Sequence, residues 1–380
     1  MKFWAACFLT FVLLVPAPVH AGQTPDSLRR GLFISVIQDP PVLSNREAIE
    51  KAVAFAKRAR VDTIFLQIYR ANKTWFPSRT GDETPYRENL KNVGEDPVAL
   101  LLRQAHDAGL EVHAWLNLLS LSANGEAPLL KKYGPDILTR KPGEKSALED
   151  YKIDGQYFLE PGDLRVREEL SGLLREILTA YPGFDGVQLD YIRYPDRDPY
   201  YGYTPQNIGR FRAAYGPDAP AMESNPAWKD WRRAQVTELV ALLSARARQL
   251  RPGIQVSTTG CSPYARAYLE AFQDWASWID LGIADFVTMM SYPADLPEFE
   301  HALAGARKKT SDFGRVNIGI GAYKLLKDPE IFAGQFEACE KAGGRGCVVF
   351  HYGDLLQSPG LAKPLLKNSA PEYPAGAGKS

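Results

Sequence analysis

Eight short apolar runs, separated by amphipathic helical stretches, constrain this chain more than any other feature. The runs are RGLFISV (30–36), DTIFLQIY (62–69), EVHAWLN (111–117), FDGVQLD (184–190), IQVSTT (254–259), ADFVTMMSY (284–292), VNIGIGAY (316–323) and GCVVFHY (346–352). Between them lie stretches such as SNREAIEKAVAFAKRA, EDPVALLLRQAHDAG and DLRVREELSGLLREILTAY. Start signals fall at Ser44 or Asp163 and stop signals at Gly109 or Gly343. Continuous apolar strands alternating with helices call for an α/β fold, a parallel sheet covered by helices. Eight such units predict a single closed (β/α)8 TIM barrel rather than an open sheet. Segments 70–94, 118–162 and 191–226 exceed the roughly 2–6 residues of ordinary βα loops. All three follow strands, so they belong to the C-terminal face, where enzymes of this architecture keep their active sites.

The first 21 residues, MKFWAACFLTFVLLVPAPVHA, combine one lysine, an apolar run from Phe3 to Val15 and a small-residue end. That pattern predicts a secretory leader cleaved after Ala21 and a periplasmic or secreted product. One domain is expected over 22–368, followed by a Gly/Ala/Pro-rich disordered tail at 369–380. No later run approaches the roughly 18 apolar residues of a membrane span. Without Lys2, 44 basic side chains face 45 acidic ones, which leaves no electrostatic case for nucleic acid or an anionic membrane. Cys261, Cys339 and Cys347 are too few for a disulfide framework, although one bridge, with Cys339 to Cys347 a candidate, suits an oxidising compartment.

FDGVQLDYIRYP (184–195) carries the strongest chemical signal. Side chains alternate along a strand, so Gly186, Gln188 and Asp190 share one face and Val187 and Leu189 the other. The apolar pair must meet the helices, which aims Asp190 into the barrel at its upper rim, with Arg193 as a partner that would orient it. Other strand ends supply polar or aromatic groups for a pocket: Gln67, Tyr69 and Arg70; His113, Trp115 and Asn117; Ser257 and Thr259; Ser291 and Tyr292; Asn317 and Tyr323; His351 and Tyr352. The loop YIRYPDRDPYYGY adds Tyr191 and Tyr194 among five tyrosines, a residue type that stacks on sugar rings while hydrogen-bonding their hydroxyls. The four histidines past the leader show no HxH or HExxH spacing, no cysteines pair as metal ligands, and no cofactor motif appears.

The succession RGLFIS, VDTIFLQIYR, DPVALLLRQAHDAGLEVHAWLN, FLEPGDLRVREEL, FDGVQLDYIRYP, WKDWRRAQVTELV resembles the bacterial glycosyl-hydrolase-like family 10 barrels from about residue 30 to 355. The resemblance implies hydrolysis of an O-glycosidic bond in a cell-wall or extracellular glycan by an exported protein, with Asp190 as the acid of strand four. Glycoside hydrolysis needs two carboxyl groups. Beside Asp190 the candidates are Glu160, which follows an apolar Phe-Leu pair, and Asp295, with Asp154 and Asp196 behind them. Gln67, Arg70, His113, Trp115, Asn117, Gln188, Tyr191, Arg193, Tyr194, Tyr292, Tyr323, His351 and Tyr352 are the expected substrate contacts. The alternative is a glycan-binding barrel without catalysis.

Overall fold

A computed structural model describes residues 28–366 apart from Glu144 and Arg197. The expected leader and tail lie outside the described residues. Eight parallel strands close on themselves: β1 (Arg29–Ile34), β2 (Thr63–Arg70), β3 (Glu111–Asn117), β4 (Gly186–Asp190), β5 (Gln255–Cys261), β6 (Phe286–Ser291), β7 (Val316–Gly321) and β8 (Gly346–Phe350). Each pairs with its sequence neighbours, and β1 pairs with both β2 and β8, which completes the (β/α)8 barrel. The outer ring includes α1 (Arg46–Arg58), α2 (Pro97–Asp107), α3 (Leu164–Ala180), α4 (Pro226–Leu250), α5 (Trp275–Asp280), α6 (Leu296–Arg307), α7 (Pro329–Lys341) and α8 (Tyr352–Gln357).

Helix boundaries follow local chemistry. Asp163 caps α3 by accepting from the Arg165 amide, whereas α1 is capped by Asn45, not Ser44, because the Asn45 side chain reaches the Ala48 amide. The long loops fold into helices of their own at Thr84–Val93, Pro128–Tyr133 and Pro205–Tyr215. All three sit after strands, on the C-terminal side of the barrel.

Two apolar layers hold the barrel. Val187 and Leu189 of β4 join the large cluster between strands and helices, while Phe33, Phe65, Trp115, Phe286 and Val348, with Phe350 against them, fill the barrel itself. Cys339 of α7 and Cys347 of β8 form a disulfide, and Cys261 is free and buried.

His113 lies near the N-terminal end of β3, flanked by the rings of Phe65 and Phe286 at 5.4 and 5.8 Å. It approaches β4 where Gly186 has no side chain: a Cβ there would stand 2.4 Å from the imidazole. Two layers of side chains separate it from the mouth, so the expectation of a substrate contact is corrected by strand height. Burial, then the charges of Arg29 and Arg345, hold its pKa at about 3, far below the ordinary 6.5. Glu111 stands 3.9 Å from Nε2 but is engaged by Arg29 at 2.5 Å, so burial wins. Below pH 6.5 the unfolded chain takes up a proton that the folded chain refuses until about pH 3. Stability therefore falls with pH across that window, by up to about 1.4 kcal/mol per pH unit from this residue. Denaturant titrations from pH 7 to 4.5 should show a shallower loss in His113→Leu than in wild type; identical slopes would contradict it.

Candidate active site

Asp190 ends β4 at the barrel mouth and is 4% exposed. Its register partner across β3 is Asn117, one inward position above Trp115. Three donors fix the carboxylate: Trp115 Nε1 to Oδ2 at 2.8 Å, Thr259 Oγ1 to Oδ1 at 2.5 Å and the Tyr191 amide to Oδ1 at 2.7 Å. They come from both flanking strands and from the first residue of the following loop. Tyr191 turns at φ +51°, a left-handed conformation a tyrosine seldom adopts, and this turn brings its amide back onto Asp190.

Arg193 does not pair with Asp190 as expected. Its guanidinium lies 4.8 Å over the Tyr191 ring and 3.5 Å from Asp196, whose other oxygen is 3.5 Å from Arg266. Asp196 is nonetheless the carboxylate that shares surroundings with Asp190: both charges bear on Tyr191, Arg193 and Cys261.

An aromatic wall leads outward from Asp190. Trp115 meets Phe350 edge-on at 5.8 Å, Phe350 meets Tyr292 at 5.6 Å, and Tyr292 meets Tyr323 edge-on at 5.9 Å. Exposure rises along it from 2% at Trp115 to 43% at Tyr323. Tyr292 lies flat against β7 because Gly321 leaves room: a Cβ there would come 2.9 Å from its Cγ. Burial and then the charge of Asp190 push the Tyr292 phenol well above its ordinary pKa. It therefore stays a neutral hydrogen-bonding group beside the carboxylate. Arg70, at the end of β2, also bears on the Tyr191 phenol.

Several expected contacts lie elsewhere. Glu160 is fully buried, accepting from Tyr194 Oη and from the Gly162 amide at 3.1 Å. Asn207 donates to Tyr194 Oη at 3.4 Å and to the Gly202 carbonyl at 2.8 Å, so this hub ties segment 118–162 to segment 191–226. Burial raises the Glu160 pKa, and neither Glu160 nor Tyr194 presents an exposed surface to the cleft. Asp295 is exposed and caps α6 through the Glu298 amide at 2.8 Å. His351 caps α8, its Nδ1 accepting from the Gly353 amide at 3.1 Å, while burial lowers its pKa. Tyr352 packs on Phe55 of α1 at 5.2 Å.

Gln188 lies fully buried one inward position below Asp190, accepting from Ser257. Gln67 accepts from Ser35 Oγ at 2.9 Å and donates to Asn117 Oδ1 at 3.1 Å, so it braces Asn117 rather than facing the cleft. Asn317 is the second residue of β7 and sits at the opposite end from the mouth. Phe350 was missed, although alternation of Gly346, Val348 and Phe350 along β8 aims it inward. Arg266, in the short helix Tyr264–Leu269, was missed too, since nothing in the sequence marks its approach to Asp196. Among the described residues no three His, Cys, Asp or Glu side chains converge as metal ligands would, and no helix is long and apolar enough to cross a membrane.

A closed barrel with a braced carboxylate at the C-terminal end of β4 and an aromatic wall beside it has the form of an enzyme site, on the face where this architecture keeps them. Residues 29–331 match the model of the family described as Glycosyl hydrolase-like 10. The chain belongs to that family, and the enzyme class that goes with membership is that of the glycosidases. It is 23% identical over 311 residues to Glycosyl hydrolase DigH of Escherichia coli (strain K12), across 72% of this chain and 68% of that protein. It is 24% identical over 310 residues to Glycosyl hydrolase YngK of Bacillus subtilis (strain 168), across 74% of this chain and 57% of that one. Among solved structures it resembles the catalytic domain of beta-amylase from Paenibacillus polymyxa, with TM-score 0.57 and 13% identity over 90% of this chain and 99% of that one. Alpha-L-fucosidase isoenzyme 2 from Paenibacillus thiaminolyticus gives TM-score 0.58 and 14% identity over 90% and 49%. At such identity these two speak for the fold.

Trp115→Phe removes the indole N–H from Asp190 while keeping a ring in the wall. A hydrogen bond to a charged acceptor is worth about 1.5–3 kcal/mol, so glycan cleavage should fall roughly 10- to 100-fold in kcat with a small change in melting temperature. Unchanged kcat would show that this bond does not position the carboxylate.

Proposed function

We propose that this protein is an exported glycoside hydrolase that cleaves O-glycosidic bonds in a cell-wall or extracellular polysaccharide, either peptidoglycan glycan strands or another amino-sugar polymer. The observation that carries the reading is Asp190, held at the barrel mouth by Trp115, Thr259 and the Tyr191 amide beside the wall of Phe350, Tyr292 and Tyr323. Export is supported by the leader-like residues 1–21 and by the disulfide between Cys339 and Cys347, since such bonds persist in oxidising compartments.

Cleavage by this route uses one carboxyl to protonate the leaving oxygen and a second as nucleophile or base. Asp190 serves as one and Asp196 as the other, because Asp196 is partly exposed and shares Tyr191 and Arg193 with Asp190. Glu160 is given a different role, joining the two long loops. Tyr191 and Tyr292 present phenols to sugar hydroxyls, while the outer ring of Tyr323 offers a stacking face.

The test is reducing-end release from intact and denuded peptidoglycan, chitin oligomers, partly deacetylated glucosamine polymer and plain glucans. Wild type should cleave an amino-sugar glycan. Asp190→Asn and Asp196→Asn should each lose at least about 100-fold in kcat, the scale of general acid–base catalysis, and Glu160→Gln should lose less than about tenfold. Cleavage surviving Asp190→Asn sinks the mechanism. A folded Glu160→Gln as inactive as Asp190→Asn returns the second role to Glu160, and binding without cleavage by wild type on every glycan makes the barrel a binding module.

A further inference from the structure

The pairing of β2 with β3 runs regularly from Thr63 opposite Glu111 to Gln67 opposite Trp115, then slips so that Tyr69 stands opposite Leu116. One residue, Ile68, has been inserted into β2. A bulge of this kind inverts the alternation beyond it and re-aims the following side chain. Tyr69 accordingly joins the helix-facing cluster. Arg70, which regular alternation would send outward, faces the mouth, where its charge bears on the Tyr191 phenol.

The charges at the mouth leave Arg70 over. Asp190 is taken up by Trp115, Thr259 and the Tyr191 amide. Asp196 lies between Arg193 and Arg266. Arg70 is only partly exposed, and its guanidinium has no hydrogen bond or ion pair among the described residues. A partly exposed fork of five N–H donors with no protein acceptor can exchange water for charge-assisted bonds to an incoming anion. A carboxylate matches that fork in two parallel bonds, and a neutral hydroxyl does not.

We infer that Arg70 determines specificity by binding a carboxylate carried on the sugar that occupies the barrel mouth. The substrate is then an acidic glycan, bearing either a uronic acid or a lactyl ether on an amino sugar. This rests on the glycan-cleaving reading above, and it adds the chemical class that the site selects.

The experiment compares kcat/KM for oligosaccharides of each acidic kind with that for the same oligosaccharides after carbodiimide amidation of the carboxyl. In wild type the acid-to-amide ratio for one kind should be roughly 10 to 100, the scale of a charged hydrogen-bonded contact. It should fall close to one in Arg70→Gln and remain partly in Arg70→Lys. Because each ratio is taken within one variant, a partial loss of folded protein cancels. The kind that shows the ratio identifies the source of the carboxylate. A wild-type ratio of one or less for both kinds overturns the inference, as does a ratio unchanged in Arg70→Gln. If wild type cleaves none of these glycans, the hydrolase reading fails separately, and calorimetric titration with the same acid and amide pairs decides. Tighter binding of the acid by wild type but not by Arg70→Gln supports the role, and equal binding or none overturns it.

Discussion

A carboxylate at the end of a buried strand survives only if its neighbours supply donors, and the site depends on how Asp190 obtains them. Trp115 comes from β3, Thr259 from β5, and the Tyr191 amide from the turn directly after β4. Those groups converge only when three consecutive strands lie side by side in parallel register, each with its alternate residues turned inward. Barrel closure sets that register. The rings of Phe33, Phe65 and Phe286 pack beneath, and Phe350 packs edge-on beside the indole, which holds it on its acceptor. Core and site are therefore continuous: Trp115 fills the barrel with its ring and holds the carboxylate with its N–H.

The long loops divide their work between support and contact. Glu160, Tyr194 and Asn207 form a closed polar hub between the loops after β3 and β4. Arg167 and Arg210 add bonds to the Pro161 and Gly162 carbonyls of the same segment. A buried carboxylate with a raised pKa is a familiar mark of catalysis, yet here desolvation comes with complete enclosure, which is the mark of a structural hub. Tyr191, Arg193 and Asp196 from the same loop after β4 remain at the mouth. Adjacent residues of one loop thus take opposite roles, according to which neighbour each side chain meets.

Period-two alternation made all eight strands readable and placed Asp190 inward, because the apolar Val187 and Leu189 had to meet helices. The same rule places Phe350 in the pocket, two residues beyond Val348 on the inward face of β8. His351 and Asp354 stand three apart ahead of an apolar pair, a helix-start pattern, so their capping role was also present in the chain. The height of His113 follows from its place as third residue of β3, before Trp115 and Asn117. Three features were not legible. Ile68 looks like any other residue of an apolar strand, so the bulge that turns Arg70 inward leaves no mark. The enclosure of Glu160 and Tyr194 depends on two loops distant in sequence packing together, and Arg193 chose Asp196 over Asp190 because the left-handed turn at Tyr191 carried it past the strand end.

The most direct measurement is a crystal structure of Asp190→Asn with an amino-sugar oligosaccharide bound. A glycosidic oxygen and its anomeric carbon should lie between residue 190 and Asp196, with sugar rings along Tyr292 and Tyr323 and Glu160 still enclosed. An oligosaccharide seated away from residue 190, or a Glu160 carboxylate uncovered and in contact with the scissile bond, would contradict that arrangement.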